Sequence, residues 1–97
     1  MILDMSCYGE ILLSRSAGHE AIIEAFSNNL GRLNIEETIT LDFSKIKILT
    51  PAWADEFITG LKAKYKSVDF INIENPAVKA SLNFILEPID VLKYRKD

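Results

Sequence analysis

Thr50-Pro51-Ala52-Trp53-Ala54-Asp55-Glu56 is the stretch on which the fold of this chain turns. Thr is a residue type that caps helix N-termini, and Pro51 suits the first helical position, where a backbone N–H has no partner to lose. From there Trp53, Phe57, Leu61 and Tyr65 recur every four residues with Ile58 beside them. That spacing lays one apolar stripe along a helix and predicts helix from Pro51 to Tyr65. Asp55 and Glu56 read as residues of its first turn, where anionic side chains complement the positive end of the helix dipole.

Working upstream, Thr38 to Phe43 alternates, with Ile39, Leu41 and Phe43 on one face and Thr40 and Asp42 on the other. This is the pattern of a strand with one face in the core. Before it, Ile22, Ile23, Phe26, Leu30 and Leu33 recur at helical spacing behind Ser16 as N-cap, with Gly31 as a stop signal. A helix from about Ala17 to Leu30 follows. Ile2 to Tyr8 and Ile11 to Leu13 read as two short strands, and the intervening Gly9-Glu10 suggests a hairpin. Downstream, Val68 to Ile73 reads as a strand. Asn75-Pro76 repeats the cap-then-proline syntax ahead of Val78, Leu82, Ile85 and Leu86, which predicts helix from Pro76 to Leu86. Pro88 ends it and leaves residues 87–97 as a tail. The expected architecture is one α/β domain over residues 1–97, in the order β-β-α-β-α-β-α. Its four-stranded mixed sheet carries helices mainly on one face.

Composition excludes several function classes. The 97 residues are 48% hydrophobic and 26% charged, as in a globular domain, with a net charge of −3. A nucleic-acid binder draws most of its affinity from a basic excess, which is lacking here. No apolar run approaches the ~20 residues that span a bilayer. The N-terminal residues lack the basic region and long apolar core of a signal peptide, so a cytoplasmic location is expected. Cys7 and His19 are the only residues of their types, which leaves no internal disulfide and no ordinary zinc ligand set. Cys7, in an apolar stretch, is expected to be a buried thiol. His19 reads as a solvated residue of the first helical turn. Gly9, Gly18, Gly31 and Gly60 are too scattered for a phosphate-binding loop. Lys93, Arg95 and Lys96 read as a solvated end. No cofactor, metal or catalytic group is expected.

The run Leu41-Asp42-Phe43-Ser44, then Ile46-Lys47-Ile48-Leu49 and Thr50 through Phe57, resembles a STAS-type domain. The likeness is greatest to the bacterial STAS-like family of uncharacterised function. Ser14-Arg15 at the end of the second strand and Phe70-Ile71-Asn72-Ile73 belong to the same likeness, which spans about Ser14 to Leu86. STAS domains include the anti-sigma-factor antagonists. These are phosphorylated by an ATP-binding, histidine-kinase-like anti-sigma factor on a Ser at the start of the helix after the third strand. The added dianion weakens the contact. The antagonist motif is roughly Asp-Ser-Ser-Gly. Here Thr50-Pro51-Ala52-Trp53 stands in its place, and Ala52, with no hydroxyl, falls at the phosphoacceptor position.

The resemblance therefore implies a non-enzymatic regulatory module that binds a protein, with a kinase-like ATPase as partner. Arg15, Ser44, Thr50, Trp53, Asp55 and Glu56 are the candidate partner-binding residues, along the loop from Ser44 to Thr50 and the exposed side of the following helix. Each also has a plainer role: Thr50 as a cap, Trp53 as core packing, Arg15 in a structural ion pair. The alternative function is a self-associating scaffold without a phospho-switch, suggested by the apolar tail residues Ile89, Val91, Leu92 and Tyr94. A ligand-binding or enzymatic role has no residue constellation behind it.

Overall fold

The computed structural model describes residues 1–28 and 30–85. Five short strands and three helices follow in order: β1 (Ile2–Asp4), β2 (Ile11–Leu12), α1 (Arg15–Ser27), β3 (Thr38–Asp42), β4 (Ile48–Leu49), α2 (Pro51–Lys64), β5 (Ser67–Ile71) and α3 (Pro76–Ile85). Short 3₁₀ turns occupy Met5–Tyr8 and Leu30–Arg32. The expected single four-stranded mixed sheet is replaced by two all-parallel sheets, one ordered β1-β3-β5 and the other β2-β4.

One geometrical fact explains the split. Ile2 lies opposite Thr40, 38 positions on, whereas Ile11 lies opposite Ile48, 37 positions on. The N-terminal segment thus runs alongside the 40–49 segment for its whole length, but six residues (5–10) are matched against five (43–47). The extra residue is absorbed by the 3₁₀ turn at Met5–Tyr8, which breaks the ladder and slips its register. The hairpin expected at Gly9-Glu10 does not form. Gly9 has φ +115, and the chain continues in the same direction to pair β2 in parallel with β4. The same turn corrects the reading of Cys7. Met5 is fully buried and Cys7 faces outward, exposed.

Alternation sets what the strands bury. Ile39 and Leu41 of β3 and Val68 and Phe70 of β5 enter the core, with their neighbours partly covered. The stripe of α2 behaves as its spacing predicts: Trp53, Phe57, Leu61 and Tyr65 are each 2% exposed or less. Trp53 stacks on Phe57 with ring centres 5.0 Å apart, and Tyr8 packs on the same ring at 5.2 Å, joining the N-terminal 3₁₀ turn to α2. The Tyr65 hydroxyl donates to the carbonyl of Leu30. Helix α3 keeps its predicted start, with Ala77 N–H donating to the Asn75 side chain at 2.8 Å. Its apolar stripe buries Val78 and Leu82. Leu86, Pro88 and the tail lie outside the described residues.

Helix α1 begins two residues earlier than its sequence predicts. Ser14, not Ser16, is extended and accepts from Ala17 N–H at 3.1 Å. The helix ends at Ser27, ahead of Gly31, which falls in the 3₁₀ turn. Gly18, Ala21, Ile22 and Ala25 form its buried face, and because three of the four are small, α1 lies close against α2. A Cβ on Gly18 would sit 2.7 Å from the Trp53 carbonyl oxygen, whereas one on Gly60 would sit 2.8 Å from Ile22 Cγ1. The first obstacle is helix backbone; the second is the Cγ1 of a buried, β-branched side chain, which can give only by shifting. Gly18→Ala is therefore expected to destabilise by about 1–3 kcal/mol through overpacking. Gly60→Ala is expected to destabilise less than Gly18→Ala, because its obstacle is one side chain rather than helix backbone and the helix propensity gained offsets part of the strain. Urea unfolding followed by Trp53 fluorescence checks the order; equal effects would mean that the helix crossing relaxes freely.

Candidate functional site

Two helix N-termini meet at one corner of the domain because of Thr50. Its N–H continues the β2–β4 ladder by donating to the Leu12 carbonyl at 3.0 Å, and its hydroxyl donates to the Leu13 carbonyl. The same hydroxyl accepts from Trp53 N–H at 3.3 Å and caps α2. Leu13 runs directly into Ser14, the cap of α1, so both helices start side by side.

This juxtaposition brings Arg15 to the acids of α2. Arg15 is the first residue of α1, not the end of a strand, and its Nη1 lies 3.0 Å from Asp55 Oδ2 and 3.2 Å from Glu56 Oε1. Asp55 and Glu56 are the fifth and sixth residues of α2, beyond its first turn. Their electrostatic partner is thus the guanidinium rather than the helix dipole. His19 Nδ1 stands 3.4 Å from the second oxygen of Glu56. The hydrogen bond from Arg15, supported by one from Thr59, holds the Asp55 carboxyl below its usual range.

Next to the pair opens a groove of about 480 Å³ lined by Arg15, Pro51, Ala52, Asp55, Phe84 and Ile85. Phe84 is 79% exposed, the largest exposure among the big apolar side chains described. It falls off the stripe formed by Val78, Leu82 and Ile85, so its outward direction was readable from spacing, although its meeting with Arg15 was not. Ala52 stands in the groove wall. The nearest hydroxyl in sequence, that of Thr50, is already both donor and acceptor.

The structure does not gather all six candidates. Arg15, Asp55 and Glu56 form one cluster beside Thr50. Trp53 is 2% exposed and belongs to the core, with no surface to offer a partner in this conformation. Ser44 sits elsewhere, in the connection from β3 to β4, where its N–H donates to Asp42 Oδ1 at 2.9 Å. Asp42 also accepts from Asn72 Nδ2 at 2.9 Å, and these bonds, Asn72's first, lower its pKa. Asn72 adopts a left-handed φ of 58, a conformation Asn tolerates better than most residues. Although Cys7 is exposed, desolvation by its neighbours pushes its thiol pKa up, with the charges of Asp4 and Glu24 adding to the rise and a hydrogen bond with Tyr8 opposing it. Among the described residues no group of three metal-ligating side chains occurs, and no helix is long and apolar enough to cross a membrane.

A depressed carboxyl pKa contributes stability that is present above the unfolded value and lost as pH falls through the folded one. For Asp55, with an ordinary value of 3.8, that window lies in acid. In Arg15→Ala the Asp55 midpoint should move up toward 3.8 while that of Asp42 stays in place. Carboxyl-carbon NMR titration reads both; an unchanged Asp55 would mean that the pair does not form in solution.

No curated protein and no solved structure matches the chain. A protein-family comparison does match, over residues 22–85, about two thirds of the length, and covers Ala52, Asp55, Glu56 and Phe84 but not Arg15. With the parallel α/β core and the capped helix at Thr50 already in place, the chain belongs to the family described as the STAS-like domain of unknown function (DUF4325).

Proposed function

We propose that this domain is a non-enzymatic regulatory module that docks a protein partner on the corner where α1, α2 and the end of α3 meet. The observation that carries the reading is Phe84, 79% exposed on the wall of a groove whose other wall holds Arg15 and Asp55. A solvent-facing aromatic beside polar side chains is the composition of an interface anchor with its rim. One guanidinium set against the carboxylates of Asp55 and Glu56 leaves the corner with an acidic excess, which suits a partner that is basic next to an apolar contact. Membership of a STAS-like family favours an ATP-binding, histidine-kinase-like regulator as that partner, by likeness to the anti-sigma-factor antagonists. Ala52 in place of a hydroxyl residue favours docking that is not switched by phosphorylation at that position.

The test is affinity capture from the native host with the immobilised wild-type domain, Phe84→Glu and Ala52→Arg, each checked for folding by circular dichroism. The wild type is expected to retain a kinase-like ATPase, and both variants to lose it. Retention of no ATPase, or equal retention on all three, would remove the proposal.

A further inference from the structure

The docking corner holds one side chain of the type whose charge ordinarily changes between pH 5 and 8, a histidine. His19 lies one turn after Arg15 on α1, and its Nδ1 stands 3.4 Å from Glu56 Oε2, while Arg15 Nη1 lies 3.2 Å from the other oxygen, Oε1. Residues four apart on a helix share a face, so both α1 side chains reach the same carboxylate of α2. Glu56 is thus flanked by a permanent cation and by a ring that is cationic only when protonated. Among the described residues, the charged groups set against His19 are Arg15 on its own helix and Glu56 on α2, with Asp55 held by the same Arg15. Glu20, the next residue, projects about 100° further round α1, and Ile22 and Ile23, one turn on, carry no charge.

With His19 neutral, the corner sets the single charge of Arg15 against the carboxylates of Asp55 and Glu56, an excess of one negative charge. Protonation of His19 adds a second cation and cancels that excess. We infer that His19 is a pH-dependent counter-charge of this corner, which loosens its hold on a basic partner as pH falls. The inference rests on the docking reading above and supplies its regulation. Its sign follows from charge alone. Carboxylates ordinarily stay ionised between about pH 5.5 and 7.5, so the change over that interval belongs to the imidazole. Its size is limited by water, because the His19 side chain is 61% exposed and that of Glu56 30%. One exposed ion pair corresponds to about a twofold to fivefold change in affinity.

Two measurements on the full chain test it. In carboxyl-carbon NMR from about pH 8 down to 5.5, the Glu56 signal of the wild type should move together with the His19 ring signals, at the same midpoint. The Asp42 signal, from a carboxylate that accepts from Asn72 and Ser44 instead, should stay flat as the internal reference. In His19→Gln the Glu56 signal should stay flat as well. A wild-type Glu56 signal that stays flat while the ring titrates overturns the inference. In the second measurement the immobilised domain is loaded with host lysate at about pH 7.5 and washed at that pH or at about 5.5. The wild type should keep about twofold to fivefold less of the ATPase after the acid wash, and His19→Gln should keep the same amount after both. Equal retention on the wild type after both washes, or an equal acid loss from His19→Gln, overturns the inference while leaving the docking reading in place. If no ATPase is retained even at the higher pH, the docking reading fails and the inference built on it fails with it.

Discussion

Thr50 is the point through which the rest of the structure is held together. Four polar bonds converge on it: its N–H to Leu12, its hydroxyl to Leu13 and from Trp53, and its carbonyl from Ala54 N–H at 3.1 Å. A cap normally satisfies one helix end. Here the capping hydroxyl also fastens the chain just upstream of a second helix, so that α1 and α2 start from a shared anchor. Their crossing then depends on Gly18, where only a hydrogen fits against the backbone of Trp53.

The two sheets are best understood as one long parallel pairing interrupted by a single surplus residue. A register slip would ordinarily turn buried side chains outward. The 3₁₀ turn at Met5–Tyr8 isolates the slip, so Leu3 and Leu12 both pack toward the core on either side of it. It also brings Tyr8 onto the Trp53–Phe57 stack. The local defect in the ladder is therefore covered by aromatic packing rather than left as open backbone.

The charged corner orients more than it stabilises. Arg15 and its two carboxylates are substantially exposed, and exposed pairs contribute little to folding free energy because water and salt screen them. Their effect is to give the groove beside Phe84 a defined polar wall.

What the sequence determined by itself was local. The starts of α2 and α3, the four-residue stripe from Trp53 to Tyr65 and the alternation of β3 all depend on neighbours within about four positions, where capping and side-chain periodicity act. They stand as the residue pattern predicted. Tertiary structure decided everything that depends on partners far along the chain. These include the pairing of β2 with β4 instead of a hairpin with β1, the choice of Ser14 over Ser16 as cap, and the outward turn of Cys7. The reach of Arg15 to acids some 40 positions away and the meeting of Phe84 with Pro51 and Ala52 belong there too. Two serines two positions apart, Ser14 and Ser16, are equally good caps in isolation. Only the ladder that ties Leu12 and Leu13 to Thr50 fixes where the strand stops and the helix begins.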